Sequence, residues 1–256
     1  MELSEVTLDS RTIELYHLHH SLGSTDLSFW RGLAARRGGP LLELGCGTGR
    51  VLLPLAQQGY TLFGLDHDLG MLAFLKNHVP EDCAGSIHLF QADMANFRLG
   101  RHFPLILMPC NTLSTLTGEV RTRTLQRVYQ HLAPGGVFAA SLPNPAVLAD
   151  LPAVGEAEAE ECLVEPHSGQ ALQVSSEWEK TVNEFILRWH YDTLGTDGSL
   201  ERRTVESRHD LATRGDYIQA AAAAGLEVLE EYGDFDGSSY VGESANLILV
   251  FRKPKR

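Results

Sequence analysis

The stretch Leu41-Leu-Glu-Leu-Gly-Cys-Gly-Thr-Gly-Arg50 decides the fold of this chain. It begins as a short apolar run, typical of a buried strand, and then enters glycines at every second position, Gly45, Gly47 and Gly49. Glycine allows the backbone to turn sharply there and leaves room for a ligand against the main chain. Free N–H groups at the start of the following helix favour an anionic group, and Glu43 can receive a positively charged one. The stretch therefore predicts a ligand-binding turn between a strand and a helix.

Strands and helices alternate outward from this turn as far as residue 142. Predicted strands cover 41–44, 60–65, 86–91, 104–108 and 137–142, and predicted helices cover 26–37, 50–58, 69–78 and 119–132. The run at 104–108 is almost continuously apolar, as in a parallel strand covered on both faces. This alternation predicts βαβ units and a doubly wound, mostly parallel sheet of the α/β class.

The pattern changes after residue 150. Between about 155 and 211 helical periodicity is absent, and apolar residues alternate with polar ones, most clearly at Phe185, Leu187, Trp189 and Tyr191. A turn signal at 195–198 separates two such runs. We therefore expect a small antiparallel sheet inserted into the fold. The final segments predict a helix over 214–224 and strands over 226–232 and 246–251.

Asp66 lies at the end of the second predicted strand and indicates an adenosine ligand. A dinucleotide-binding enzyme and a methyltransferase both place a carboxylate there for ribose hydroxyls, so Asp66 alone does not choose between them. The dinucleotide fingerprint G-x-G-x-x-G would put its third glycine where this chain has Arg50. The earlier glycine, Gly49, favours S-adenosylmethionine (SAM).

Residues 41–50 resemble motif I of the class I SAM-dependent methyltransferases. Residues 64–72 are similar to the segment that holds the ribose, although Leu69 replaces the usual serine, and residues 91–94 resemble the segment that meets adenine. Residues 107–111 are similar to the methyl-transfer end of the fourth strand. The resemblance covers about 40–142 and implies a seven-stranded Rossmann-like sheet. It also implies a cofactor site made of Tyr16, Glu43, Gly45, Cys46, Gly47, Gly49, Asp66, His67, Asp93, Met94 and Met108.

Local structural roles remain open for several of these residues. Asp66 could cap the next helix, Asp93 could serve a surface turn, and Asn111, which the resemblance places at the acceptor, could cap a loop. His17, His19 and His20 look like a metal cluster, but 17 and 20 share a helix face while 19 points elsewhere, so we expect no metal site. For Tyr16 the resemblance is positional: an N-terminal tyrosine that folds over the sulfonium.

The chain is expected to comprise a SAM-binding core with N-terminal helices (1–150), an inserted sheet that forms a substrate lid (151–211), and a final helix and β-hairpin (212–256). Ligands of open α/β sheets bind outside the carboxyl ends of the strands, where this insertion falls. We expect the apolar face of the strand around residue 188 to pack on the core, with Arg188 and His190 opposite. These two either are solvated edge residues or meet the acceptor. With the sheet in the reverse orientation, Trp189 and Tyr191 would instead form an aromatic wall over the acceptor.

Composition narrows the function further. The formal net charge is −12 and the longest basic runs are short, which disfavours a nucleic acid substrate. The four cysteines form no C-x-x-C pair, and no apolar run is long enough to span a bilayer. We expect a cytoplasmic monomer or homodimer, away from membranes, that methylates nitrogen or oxygen of a small molecule, with no catalytic residue assigned. Alternatives are a non-catalytic SAM-binding or partner-binding module, and a methyltransferase that acts on protein or RNA.

Overall fold

The computed structural model describes residues 8–22, 25–165, 168–195 and 197–255. It is an α/β fold with two separate sheets. The helices are α1 Ser10–Ser21, α2 Leu27–Arg37, α3 Leu52–Ala56, α4 Leu69–Asn77, α5 Gly118–His131, α6 Pro145–Asp150 and α7 Arg214–Ala223. The strands are β1 Leu41–Leu44, β2 Leu62–Asp66, β3 Ile87–Gln91, β4 Phe103–Met108, β5 Leu132–Pro143, β6 Val154–Val164, β7 Ala171–Lys180, β8 Glu184–Leu194, β9 Leu200–Asp210, β10 Glu227–Tyr232 and β11 Asn246–Arg252.

The larger sheet has seven strands in the order β10-β11-β5-β4-β1-β2-β3. Strands β1 to β5 are parallel, whereas β11 pairs antiparallel with both β5 and β10. Strand β1 has β2 on one side and β4 on the other, so the strand order changes direction at β1. The carboxyl ends of these three strands therefore meet at one edge, where open α/β sheets bind their ligands.

Apolar side chains from both faces of the sheet build the core. All four residues of β1 are buried, and its three leucines divide between two clusters. Leu42 and Leu44 pack on the side of α5 and α7, while Leu41 packs with Trp30 of α2 and Leu52 of α3. Because β1 is fixed from both faces, the turn that follows it starts from a rigid position.

The second sheet consists of β6, β7, β8 and β9, all antiparallel, and we call it the inserted sheet. Helix α1 packs on one of its faces: Leu15 shares an apolar cluster with Leu172, Val174, Tyr191 and Val205. We call this the inner face. Alpha-helix α1 begins with Asp9 as its N-cap, which accepts a hydrogen bond from the backbone of Thr12.

The predicted fold class is confirmed: a mostly parallel seven-stranded sheet with an added antiparallel one. Two local features differ from expectation. Residues 133–136, which lie between the predicted helix and the predicted fifth strand, belong to β5 and form a bulge, since Phe103 pairs with Leu132 and Leu105 with Val137. Helix α6, capped by the side chain of Asn144, was not predicted. Among the described residues, no helix is both long and apolar enough to cross a membrane.

Candidate active site

The glycine turn after β1 combines three different local demands. All three glycines have positive φ, 71° at Gly45, 49° at Gly47 and 86° at Gly49. A Cβ at Gly45 would lie 2.8 Å from Cγ2 of Thr112, and one at Gly49 would lie 2.3 Å from Cδ1 of Leu75. A Cβ at Gly47 would meet nothing within 4 Å. The outer two glycines thus let neighbouring segments pack closely, and Gly47 faces open space.

Glu43 places a carboxyl group directly below this turn. The residue is 2% exposed, and its Oε2 has no hydrogen-bond partner among the described residues. Burial raises the pKa of Glu43 to about 8, against the lowering effect of the Arg50 guanidinium. A buried acceptor without a partner costs free energy, so this oxygen marks a place where a cationic or hydrogen-bonding group would be stabilised.

Asp66 ends β2 and faces the glycine turn. Its Oδ2 accepts a hydrogen bond of 2.7 Å from the N–H of Gly47, and its Oδ1 accepts one of 3.0 Å from the N–H of Asp68. The cap of α4 is Asp68, which accepts from Gly70 and Met71. The carboxylate of Asp66 therefore contacts the glycine turn and does not cap α4, and its contact with the ribose stays a prediction. Its neighbour His67 has an exposed side chain, with Nδ1 3.5 Å from Oδ1 of Asp66.

The segment after β3 is bound mainly to itself. Asp93 is exposed, and its Oδ1 accepts a hydrogen bond of 2.8 Å from the N–H of Ala95. Met94 is 9% exposed, and Met108 at the end of β4 is fully buried; both belong to the core. The structure gives the Met108 side chain a packing role. Contact of Asp93 with adenine stays a prediction.

The loop after β4 has two consecutive left-handed residues. Cys110 has φ 58° and Asn111 has φ 63°, a conformation that residues other than glycine rarely adopt. Cys110 is tied to the glycine turn, because Nη2 of Arg50 donates to its Sγ over 2.8 Å. Arg50 also makes a bidentate ion pair with Asp26, both bonds 2.6 Å long, and Asp26 accepts from Nε1 of Trp30. Sequence reasoning missed this Arg50–Asp26 pair, which joins α2 to the site.

Helix α1 brings Tyr16 to the same place. Burial raises the pKa of Tyr16, and Cys110, Arg50 and Asp66 also act on it through their charges. His20 stacks on the Tyr16 ring with centroids 3.9 Å apart. His17 contacts the glycine turn through Nδ1, 2.9 Å from Oγ1 of Thr48.

The inner face of the inserted sheet presents aromatic side chains to α1. The hydroxyl of Tyr191 lies 3.2 Å from Nδ1 of His19, and the His19 and Trp189 rings are 4.7 Å apart in an edge arrangement. Trp189 also contacts the ring of His20. The apolar face of β8 thus packs inward, as expected, and places Trp189 and Tyr191 beside the helix that carries Tyr16.

Arg188 and His190 lie on the opposite, outer face. Arg188 binds Glu206 at 2.9 Å, Glu179 at 3.3 Å and Glu177 at 3.7 Å. His190 Nδ1 lies 2.8 Å from Oγ1 of Thr204. The expectation that these two side chains meet the acceptor does not agree with this placement, because they point away from α1 and are already paired on their own face.

The histidines of α1 form no metal centre in the described part of the chain, where no group of three or more His, Cys, Asp or Glu residues is arranged to hold a metal ion. Burial lowers the pKa of His17 and His19, and lowers that of His20 to about 4. These imidazoles are therefore neutral at neutral pH. Sequence reasoning did not assign them to the site, since nothing local indicates that α1 lies over the glycine turn.

Comparison with known proteins identifies the family. The profile described as a methyltransferase domain matches residues 41–136. The chain is 31% identical to dTDP-3-amino-3,6-dideoxy-alpha-D-glucopyranose N,N-dimethyltransferase of Streptomyces fradiae, over 84% of this chain and 83% of that protein. This chain belongs to the class I SAM-dependent methyltransferases. It is 23% identical to a cypemycin N-terminal methyltransferase from a Streptomyces species, over 96% and 97% of the two chains.

Solved structures agree with this assignment at the level of fold. The methyltransferase superposes on SAM-bound CalS10, an amino pentose methyltransferase from Micromonospora echinaspora, with a TM-score of 0.74 and 20% identity, over 98% of this chain and 100% of the other. The predictions of family, enzyme class and SAM as the methyl donor are thereby confirmed.

The residues of the methyltransferase fit SAM on structural grounds. The partnerless oxygen of Glu43 suits the ammonium of the methionine part, and the open side of Gly47 leaves space for a ligand beside the main chain. Asp66, at the end of β2, suits ribose hydroxyls. SAM supplies a methyl group on a sulfonium, which is already activated for displacement, so the protein has mainly to align the reactants and exclude water.

Proposed function

We propose that this methyltransferase methylates the nitrogen of a small amine, and that its acceptor is an amino sugar. The main observation in support is that α1 places three neutral imidazoles, those of His17, His19 and His20, between the glycine turn and the aromatic inner face. A hydroxyl acceptor needs a base strong enough to take its proton, whereas a neutral amine already carries a nucleophilic lone pair. An imidazole with a pKa of about 4, such as that of His20, is suited only to the weaker task.

The reaction then needs little chemistry from the protein. The nitrogen lone pair forms the new N–CH₃ bond while the C–S bond breaks, and its electrons stay on sulfur, which gives S-adenosylhomocysteine. The methylated amine leaves as an ammonium, or its surplus proton passes to water. We assign Tyr16 to the reacting centre, Glu43 and Asp66 to SAM, and Asn111, Trp189 and Tyr191 to the acceptor.

Charge around this face suits an amine. Glu160 and Glu161 of β6 act on His19 in the direction that raises its pKa, although burial is the larger effect and lowers it. Glu160 is held by the hydroxyl of Ser176, 2.6 Å away. Carboxylates at this edge favour the approach of a cation. The proposal of an amino sugar also draws on the name of the relative that is 31% identical to the chain.

Substrate profiling tests the proposal directly. The methyltransferase is incubated with SAM and nucleotide-linked amino sugars, with the matching hydroxy sugars, and with short peptides that have a free N-terminus; products are weighed by mass spectrometry. We expect one or two methyl groups on the amino sugars and none on their hydroxy counterparts. Methylation of the hydroxy sugars would refute nitrogen as the acceptor, and methylation confined to the peptides would refute the amino sugar.

A further inference from the structure

A buried hydrogen-bonded chain joins β9 of the inserted sheet to the loop after β4. His209 is 6% exposed and Ser114 is 3% exposed. Nε2 of His209 lies 3.1 Å from Oγ of Ser207, and its Nδ1 lies 2.8 Å from Oγ of Ser114. The Ser114 hydroxyl in turn donates to the carbonyl oxygen of Asn111 over 2.6 Å.

Which group donates in each of these hydrogen bonds follows from the last acceptor, the carbonyl oxygen of Asn111. A carbonyl oxygen only accepts, so Ser114 uses its single hydroxyl proton on Asn111. Its oxygen can then only accept from His209, which places a proton on Nδ1. Burial lowers the pKa of His209 to about 4, so the ring is neutral and Nε2 accepts from Ser207. Three hydrogen bonds thus run the same way, an arrangement in which each strengthens the next.

The chain ends on a strained piece of backbone. Cys110 and Asn111 are both left-handed, a conformation that is unfavourable for residues other than glycine, and more so for Cys than for Asn. Such a conformation persists only where the surroundings hold it. The Asn111 carbonyl also accepts from the N–H of Ser114. The side-chain amide of Asn111 has no hydrogen-bond partner among the described residues and is free to bind a ligand.

Other contacts hold the same loop from the cofactor side. Thr112 packs against Gly45 of the glycine turn, and Arg50 donates to Cys110. His209 is different, because it belongs to the inserted sheet. The loop that ends at the reacting centre is therefore fixed both by the cofactor turn and by the sheet that covers the acceptor.

We infer that His209 is a positioning residue: with Ser114 it transmits the position of the inserted sheet to Asn111 and so aligns the acceptor for methyl transfer. This inference rests on the proposed function for the identity of the acceptor. It predicts that breaking the chain lowers kcat, because misplacement of reacting groups by about 1 Å can slow an enzyme on the order of 100-fold. SAM affinity is held by Glu43 and Asp66 and stays near that of the wild type.

Two amide isosteres separate this role from simple packing. His209→Asn puts an N–H where Nδ1–H stands, whereas His209→Gln puts its amide at the Nε2 position. We expect His209→Gln and Ser114→Ala to lose roughly 10- to 100-fold in kcat and His209→Asn to keep most of it. Ser207→Ala is the milder comparison: it removes the Nε2 partner but leaves both hydrogen bonds that lead from His209 to Asn111, so it should keep most of the wild-type kcat. Equal losses in the Asn and Gln variants, or a parallel loss of SAM affinity, would overturn the inference.

A second readout does not depend on the acceptor. Nitrogen-15 NMR of the histidine side chains should show the Nδ1–H tautomer for the signal that disappears in His209→Gln. The backbone amide signal of Asn111 should shift in His209→Gln and stay in place in His209→Asn. An Nε2–H tautomer, or an unmoved Asn111 signal, contradicts the inference. Failure of the amine proposal would appear as a wild-type protein inactive on amines while these NMR results still hold.

Discussion

The glycine turn and the outer face of the inserted sheet both carry several charged side chains, but these side chains are paired on the outer face and only partly paired at the turn. On the outer face Arg188 has three carboxylates within 4 Å, and Asp192 makes a bidentate pair with Arg202. At the turn Glu43 is buried, and one of its oxygens has no partner within the part of the chain that the structure describes. A closed ion network has nothing left to offer a ligand, whereas a buried unpaired acceptor costs free energy until a ligand arrives. The unpaired oxygen of Glu43, together with the open space at Gly47, is therefore our reason for placing the ligand at the turn rather than on the more highly charged outer face.

The largest effect is expected from substitution of Asp66 at the glycine turn. Asp66→Ala removes hydrogen bonds to a charged acceptor, each worth roughly 1.5–3 kcal/mol, so SAM affinity should fall by about 100-fold or more. Asp66→Asn keeps the shape and one acceptor oxygen and should fall less. Calorimetric titration with SAM measures both variants, and circular dichroism controls for folding. Unchanged affinity in a folded Asp66→Ala protein would contradict our placement of the ribose.

Glu43 gives a second test, through the pH dependence of stability. The pKa of Glu43 is about 8 in the folded chain, against 4.5 for a glutamate side chain exposed to water. At a pH between these two values the folded chain therefore holds a proton that the unfolded chain has released. This group therefore makes the free energy of unfolding fall as pH rises from about 4.5 to about 8. Glu43→Gln lacks this titration. From about pH 5 to about pH 8.5 its stability relative to the wild type should rise by on the order of 3 kcal/mol.

Urea denaturation of the SAM-free proteins at several pH values measures this difference. Asp93→Asn is a suitable control, since Asp93 is exposed. Parallel stability curves for the wild type and Glu43→Gln would show that the buried carboxyl does not titrate in this range. Saturating SAM should reduce the difference in stability between Glu43→Gln and the wild type at high pH, because the SAM ammonium would stabilise the ionised form of Glu43.

The contrast also explains what the sequence could reveal. Gly45 and Gly49 both have positive φ, which is a local requirement, so the turn was predictable from its residues. Their close contacts with Thr112 and Leu75 join distant parts of the sequence and were not predictable in the same way. Period-two alternation likewise separated the two faces of β8. It could not show which face would meet the site, because that depends on α1 packing against Tyr191 from far away in the chain. His209 carries no motif, and its role follows only from its contact with Ser114.

The inner face should show a moderate effect. Tyr191→Phe removes the hydroxyl that lies 3.2 Å from His19 and keeps the buried ring. One neutral hydrogen bond is worth roughly 0.5–1.5 kcal/mol, so turnover should fall by about 2- to 10-fold while SAM affinity is unchanged. Steady-state kinetics and SAM titration together measure the split. If SAM affinity falls as much as turnover does, the division between cofactor turn and acceptor face is wrong.

The outer face should show the smallest effect. The double variant Arg188→Ala with His190→Ala removes a network that is partly exposed, and such ion pairs contribute about 0–1 kcal/mol each. It leaves three glutamates without their shared cation, so a small loss of stability, greater at low salt, is expected. Turnover and SAM affinity should stay within about twofold of the wild type, because neither side chain faces α1. A large loss of turnover in a stable double variant would restore the alternative in which these residues reach the acceptor. It would then require the inserted sheet to present its other face to the site when the acceptor binds.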